Sequence, residues 1–491
     1  MNTSIAKICA LKNHESAFDP QRWGLPEEAI QSLTQRLYEF WQRFRGRFKT
    51  KTRDTSEYAY HYLGGVLRME EKRNFANIAS TTGVAEQNLH HFMSNSPWSA
   101  RAVIQQVQAE IAATPGLERG GVLVLDESAN AKTGEKSAGS GRQYNGRLGK
   151  VDMSQVGTFL AYTNGSVWTW VDGELYLPED WFTAEKAELR EKLGIPAERE
   201  FKTKIELGWE MIQRAHANGL PFEAICCDDF YGKSSDFRAE MRAAGFVYMA
   251  DVPHNTRVYL KRPVMGVPEA KSGRRGPKPS RSRVLSPDRP LKVSEVARRE
   301  DTNWRRVRVR STERGELNDE FAARRIWTIH EDEPVQEWLV IRRERNGRCT
   351  YSLSNASPNT QLKRLAWLKC QRYFVERANQ DAKTELGWDE LEAQKYLAWM
   401  HHLALTILAM WFITQTKIEW AEQYARDPGL LQQFEVEVLP ALSTANVRAL
   451  LRAAMPLPQL TPDEARALVT KHLVNRTRSR KSRMKGRHRG P

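Results

Sequence analysis

The stretch EAICCDDFYG (residues 223–232) decides how the rest of the chain is read. Its apolar run, Ala-Ile-Cys-Cys, has the length and composition of a buried strand, and two acids, Asp228 and Asp229, follow at once. An ionised carboxylate beside a core strand is costly unless it is paired, hydrogen-bonded or bound to a cation. A second run of the same kind lies upstream. In GGVLVLDESANAK, residues 122–125 read as a short buried strand that ends at Asp126. If the two strands are neighbours, Asp126 and Asp228 emerge at one sheet edge and repel each other. A divalent cation relieves that repulsion, and magnesium prefers oxygen ligands. A third acid, on a helix across the edge, allows two ions about 3.5–4 Å apart that clamp both oxygens of a phosphoryl displacement. For one acid alone, the capping of a turn would be the better reading.

Outward from these strands the pattern is α/β. QVGTFLAYTNG and SVWTWVDGELYLP read as strands joined by a hairpin at Asn164-Gly165. Between the first strand and this pair lies TGEKSAGSGRQYNGRLGKVDMS, which is Gly-rich and basic. It lacks G-x-x-x-x-G-K-[ST] and no helix follows it, which excludes a P-loop. Next comes an amphipathic helix with Ile205, Gly208, Trp209 and Ile212 on one face. After the opening stretch, SSDFRAEMRAAG is a serine-capped helix and FVYMADVP a strand. Three strands, helix, strand, helix, strand make an α/β layer with a mixed sheet. A Pro-, Gly- and Arg-rich segment (residues 261–290) then reads as a flexible basic linker. WRRVRVR, FAARRIWTIH, EWLVIRRER and CTYSLSN follow as strands, and helices resume near Asn359.

The first hundred or so residues read as helical. In NFANIASTTGVAEQNLHHFMSN, Ala79 is small where two helices would cross, Gly83 can take the turn and Leu89 is apolar on the second helix. This is a helix-turn-helix pattern that leaves Glu86, Gln87, His90 and His91 on or near an exposed face; an ordinary helical hairpin is the alternative. YLAWMHHLALTILAMWFIT (residues 396–414) approaches membrane-span length, but His401 and His402 interrupt it and no second span exists, so a helix buried in a large core is expected, and no membrane. The closing NRTRSRKSRMKGRHRGP is a basic tail suited to phosphate contacts.

Composition agrees with this reading. The 491 residues carry a formal net charge of +15, which favours a polyanionic partner such as nucleic acid. Five cysteines without a C-x-x-C pair indicate neither a disulfide scaffold nor a structural zinc site, and point to reduced thiols and a cytoplasmic location. The N-terminal MNTSIAKICALKNHES lacks the apolar core of a signal peptide. For the third acid, QRYFVERANQDAKTELG offers Glu376 and Glu385. Arg372, Glu376 and Lys383 fall near one helix face, a carboxylate between two cations; a solvated ion-pair face is the alternative.

Taken together, these residues resemble the DDE transposases of bacterial insertion sequences. Arg372, Glu376 and Lys383 match the end of the Y-x2-R-x3-E-x6-K signature of the insertion-sequence-four superfamily, with Lys369 where the signature has tyrosine. LDES…K…G…GRLGKVD…Q, D-x-x-YG and E…AK-x-ELG are similar to the seven-oh-one family within it. The spacing to Tyr231 selects Asp228 over Asp229, and the spacing to Lys383 selects Glu376 over Glu385.

The resemblance implies an α/β RNase H-like mixed sheet with a β-rich insertion domain, plus an N-terminal all-α helix-turn-helix DNA-binding domain. The expected boundaries are residues 1–115 for the helical domain (helix-turn-helix about 72–94), 116–258 and 361–416 for the two parts of the catalytic domain, 259–360 for the linker and insertion, and 417–491 for a helical region and tail. It implies Asp126, Asp228 and Glu376 as catalytic and metal-binding residues for two Mg2+ ions, with Mn2+ as substitute. Arg372, Lys383, Lys132, Arg147, Lys150, Gln87, His90 and His91 are the expected DNA contacts. Expected partners are the element's terminal inverted repeats and target DNA, bound by a homodimer that cuts the ends and joins their 3′-hydroxyls to the target. Trp304, Trp327 and Trp338 are candidate platforms for a flipped base, or sheet core. The competing expectation is a catalytically inactive, transposase-derived DNA-binding regulator.

Overall fold

Among the residues described by the computed structural model (22, 24–268, 280–312, 315–424, 426–433 and 442–455), ten strands form one mixed sheet. Cys9, residues 269–279 of the linker and the whole basic tail lie outside the described residues. The first six strands are β1 (Val122–Ala131), β2 (Ser140–Asn145), β3 (Lys150–Thr163), β4 (Trp168–Leu175), β5 (Ala224–Cys227) and β6 (Tyr248–Val252). Next, β7 (Arg257–Val258), β8 (Met265–Gly266), β9 (Arg283–Val284) and β10 (Leu291–Lys292) make two small ribbons, β7 with β10 and β8 with β9. The last four are β11 (Arg305–Thr312), β12 (Gly315–His330), β13 (Glu333–Arg343) and β14 (Cys349–Ser354).

The order across the sheet is β11-β12-β13-β14-β6-β5-β1-β3-β2, with β4 also on β3. β1, β5 and β6 are parallel, and β3 runs against both β1 and β4. The hairpin expected at Asn164-Gly165 is present: Gly165 takes φ +91°, and the Asn164 side chain accepts hydrogen bonds from the backbone N–H groups of Ser166 and Val167.

Three features differ from the sequence reading. β1 does not end at Asp126. It runs five residues further because β3 continues to pair with it, Ala131 facing Ser154. Part of the Gly-rich stretch, to which the sequence reading assigns no strand, is a strand, β2, paired with the start of β3. The insertion is not a separate sheet: β14 pairs antiparallel with β6, so its four strands extend the sheet that holds the acids. A buried cluster fastens this join. Glu337 on β13 accepts hydrogen bonds from the Tyr248 hydroxyl (2.6 Å) and Thr328 Oγ1 (2.5 Å), and pairs with Arg238.

Helices cover both faces: α1 (Leu33–Phe44), α2 (Ser56–Arg68), α3 (Phe75–Thr82), α4 (Glu86–Ser94), α5 (Ala100–Ala113), α6 (Lys204–Ala217), α7 (Ser235–Ala243), α8 (Leu362–Lys369), α9 (Tyr373–Gln380), α10 (Tyr396–Gln423) and α11 (Thr444–Ala454). The long apolar helix α10 is the core helix expected, its most apolar window 94% buried inside the protein. Its two histidines are satisfied there. His401 bonds the carbonyls of Met93 and Trp98, and His402 bonds the Tyr62 hydroxyl and the Trp388 carbonyl. Burial pushes both imidazoles down to about 4.

These bonds tie α10 to the N-terminal helices, and one hydrophobic core runs from Leu33 through β1 and β5 to α10. The N-terminal region therefore shares its core with the sheet. A buried charge cluster adds a second tie: Arg101 of α5 and Arg214 of α6 both grip Asp172 and Glu174 of β4, with Arg214 2.9 Å from Asp172.

Candidate active site

The parallel register sets three acids level. Leu125 pairs with Cys227 and Cys227 with Ala250, so Asp126, Asp228 and Asp251 each stand one residue beyond, on adjacent strands. Alternation along the strands then decides the face. Leu125 and Glu127 point towards α6. Gly208 allows that helix to approach closely, since a Cβ there would lie 2.5 Å from Leu125 Cδ2, and Lys204 pairs with Glu127 at 2.9 Å. Asp126 points to the other face. Cys226, level with Val124, donates to the Leu368 carbonyl of α8, so Asp228 and Asp251 share that face. Helix α9, which carries Glu376, continues from α8 on the same side.

The turn after β5 explains the DDFYG sequence. Asp228 Oδ1 accepts from the backbone N–H groups of Phe230 (3.0 Å) and Tyr231 (3.3 Å), while Asp229 is exposed. Tyr231 is buried, and Gly232 is required: a Cβ there would stand 1.9 Å from the Asp251 carbonyl oxygen. The capping of a turn and a place in an acid pair are thus both true of Asp228. Asp126 Oδ1 accepts from the Glu127 N–H at 2.8 Å. Burial, with the Asp228 charge next, pushes the Asp126 carboxyl up to about 7. Burial raises Asp228 to about 6.

Arg372 links the acids of this site. Its guanidinium is 3.2 Å from Asp251 and 2.8 Å from Glu376. Burial opposes its charge, but the carboxylates of Asp251, Glu376, Asp126 and Asp228 outweigh it and hold the group above its ordinary value. Glu376 is 51% exposed and turned to Arg372. The structure therefore couples Asp126 with Asp228 and links Glu376 to them through Arg372. Among the described residues no group of three His, Cys, Asp or Glu side chains is arranged to hold a metal ion. Glu385, the rival third acid, is taken by Arg448 of α11 at 2.8 Å.

Asp251 was missed in the sequence, although YMADVP shows the same strand-then-acid signal as the other two. Lys369, which stands in place of the signature's tyrosine, is buried, with its ammonium 3.1 Å from Asp251 and 2.6 Å from Ser352 Oγ. It helps to hold the acid that holds Arg372.

The other expected DNA contacts fall in two places. Lys383 lies on a π-helical turn after α9 and donates to the Ala129 carbonyl of β1 at 3.0 Å. Lys132 donates to the Leu391 carbonyl, and Arg147 pairs with Asp389. Burial lowers both lysines. Lys150 is exposed and paired with Asp152. Gln87, His90 and His91 are exposed on α4. There Gly83 makes the turn at φ +74°, and Ala79 and Leu89 are buried as expected. Trp304, Trp327 and Trp338 are half-buried, each with an arginine over its ring: Arg343, Arg262 and Arg325.

Comparison with known proteins agrees with this geometry. Residues 43–316 match the family described as DDE superfamily endonuclease, a match that includes Asp126, Asp228 and Asp251 and stops short of Glu376. A probable transposase for insertion sequence element IS701 from Microchaete diplosiphon is 27% identical over 202 residues, covering 40% of this chain and 48% of the relative. The chain thus spans about half the length of that relative. With more than half of its residues in the family match, and two level carboxylates on one face of a mixed α/β sheet, the chain belongs to the DDE superfamily endonucleases.

Proposed function

We propose that this chain is a cut-and-paste DNA transposase with an RNase H-like catalytic core. It acts in the cytoplasm on the terminal inverted repeats of its own element. The observation that carries this reading is the placement of Asp126 and Asp228 level on adjacent parallel strands, with α9 and Glu376 on the same face. The residues fit divalent metal. The donors are hard carboxylate oxygens, and two acids raised to about 7 and 6 gain from a nearby positive charge. Asp126 and Asp228 would hold it, joined by Glu376. When bound, Mg2+ or Mn2+ supplies charge stabilisation to the oxygens of a phosphodiester under attack. Arg372, anchored by Asp251, has its guanidinium at the face where a scissile phosphate would lie, and Lys383 adds a point charge fixed to the end of β1. Exposed Gln87, His90 and His91 of α4 suit reading of the element ends, which a homodimer would bring together.

One observation favours a second reading. Glu376 is bound to Arg372, as suits a non-catalytic DNA-binding descendant of such an enzyme. A Mg2+-dependent cleavage assay on terminal-repeat DNA separates the two. For the transposase, Asp126→Asn, Asp228→Asn and Glu376→Gln each abolish cleavage while end binding persists. Tight end binding without nicking under any divalent ion supports the regulator. Full cleavage by any one of the three variants ends the assignment of these acids.

A further inference from the structure

The insertion carries a second polar site. At the end of β6, three residues past Asp251, His254 lines a cavity of about 650 Å3 with Ser294, Arg298, Arg299, Trp304, Arg343, Cys349 and Tyr351. No carboxylate is among its lining residues. Arg343 lies over the Trp304 ring at 4.1 Å and is paired with Glu320; Arg299 is paired with Asp301. Arg298 is exposed, and among the described residues it forms no ion pair with a carboxylate. The alternation that puts Ser352 and Asp251 on the acid face puts Tyr351, Cys349 and Arg343 on the opposite one. The cavity still opens at the same end of the strands as the acids, since β6 ends there and β14 begins there.

We infer that this cavity is an anion site that takes a backbone phosphate of the DNA lying across the strand ends, with the Arg298 guanidinium as its principal donor and Arg299 beside it. The inference rests on the DNA reading above and names a second contact for it. The Arg298 guanidinium, with two carboxylate-paired guanidinium groups and a hydroxyl pair around a space that no carboxylate lines, suits a phosphate and not a cation. Three to four strand spacings separate β1 from β14 and β13, about 15–20 Å at roughly 4.8 Å each. Duplex DNA crossing that distance spans about five base pairs at 3.4 Å. The contacted phosphate therefore lies about four to six nucleotides from the one at Asp126.

The test is equilibrium binding of a terminal-repeat duplex, in EDTA, as a function of NaCl, to the full chain and to Arg298→Ala and Arg298→Lys. Arg298 is exposed and unneeded by the fold, so the variants are expected to be as stable as the parent. The expected result is about tenfold weaker binding for Arg298→Ala, equal on every DNA sequence, a salt slope shallower by about 0.9, and partial recovery with lysine. Replacing single phosphates by methylphosphonate four to six nucleotides from the cut should weaken the parent and leave Arg298→Ala unchanged. Identical affinity and slope for parent and Arg298→Ala would overturn the site. If the parent itself binds no DNA, the reading under Proposed function fails instead. Orthophosphate then decides the cavity: a thermal shift in the parent that Arg298→Ala lacks keeps the anion site, and equal shifts remove it.

Discussion

Asp126→Asn should stabilise the metal-free protein at neutral pH while destroying cleavage. The Asp126 carboxyl is held at about 7, against about 3.8 for an ordinary aspartate. At 1.36 kcal/mol per pH unit, ionising it inside the fold costs about 4 kcal/mol; coupling to Asp228 and partial solvent access leave roughly 2–4 kcal/mol. The sign follows from linkage. A folded-state value above the unfolded one means that the contribution is fully present below about pH 4 and is lost as pH rises through about 7. Asparagine removes the ionisation and keeps the shape, and its side-chain oxygen can still accept from the Glu127 N–H. Urea denaturation followed by circular dichroism in EDTA, at pH 4.5 and pH 8, reads the effect directly. The variant should exceed the parent by about 1 kcal/mol or less at the lower pH, where the unfolded carboxyl has begun to ionise, and by about 2 kcal/mol or more at the higher. A variant no more stable than the parent at pH 8 would refute the claim that burial and the Asp228 charge load this carboxylate. The same substitution should then leave the enzyme unable to cut, so that stability and activity move in opposite directions, as expected of a strained site.

Further outcomes follow from the same geometry. Mn2+ affinity measured by calorimetry should rise about tenfold per pH unit for each carboxyl that must ionise, through pH 6 and 7, and level off above; a flat profile would exclude Asp126 and Asp228 as the ligands. Gly232→Ala puts a Cβ against the Asp251 carbonyl and should cost about 1–3 kcal/mol in urea denaturation, with loss of cleavage greater than loss of DNA binding; wild-type behaviour would show that the turn can move freely. Asp172→Ala leaves Arg101 and Arg214 without their main partner and should destabilise by about 3–5 kcal/mol, with equal stability as the opposing result.

Much of the site was legible because its signals are local. A four-residue apolar run ended by acids at 224–229, the Asn164-Gly165 turn and the capping serine before α7 depend on period and turn chemistry, and each stands where the sequence places it. Asp251 carried the same strand-then-acid signal and was passed over, since no spacing ties it to the other acids. Lys369 read as a departure from a signature, while in the fold it is a buried partner of Asp251. The length of β1 and the existence of β2 were hidden because the Gly-rich stretch has no strand period of its own, and pairing with β3 makes it a strand.

The amino-acid sequence alone determined which residue types were available: carboxylates after buried strands, a cation one helical turn before Glu376, and glycines for the turns at 165 and 232. Tertiary structure decided which of them meet. Strand register, not chain order, sets Asp126, Asp228 and Asp251 level, and the close approach of α6 at Gly208 fixes which way Asp126 faces. Packing of α9 against that face then brings Arg372, already one turn from Glu376, to Asp251. Those choices belong to packing between segments far apart in the chain, and local propensity does not encode the distances at which charges attract or repel.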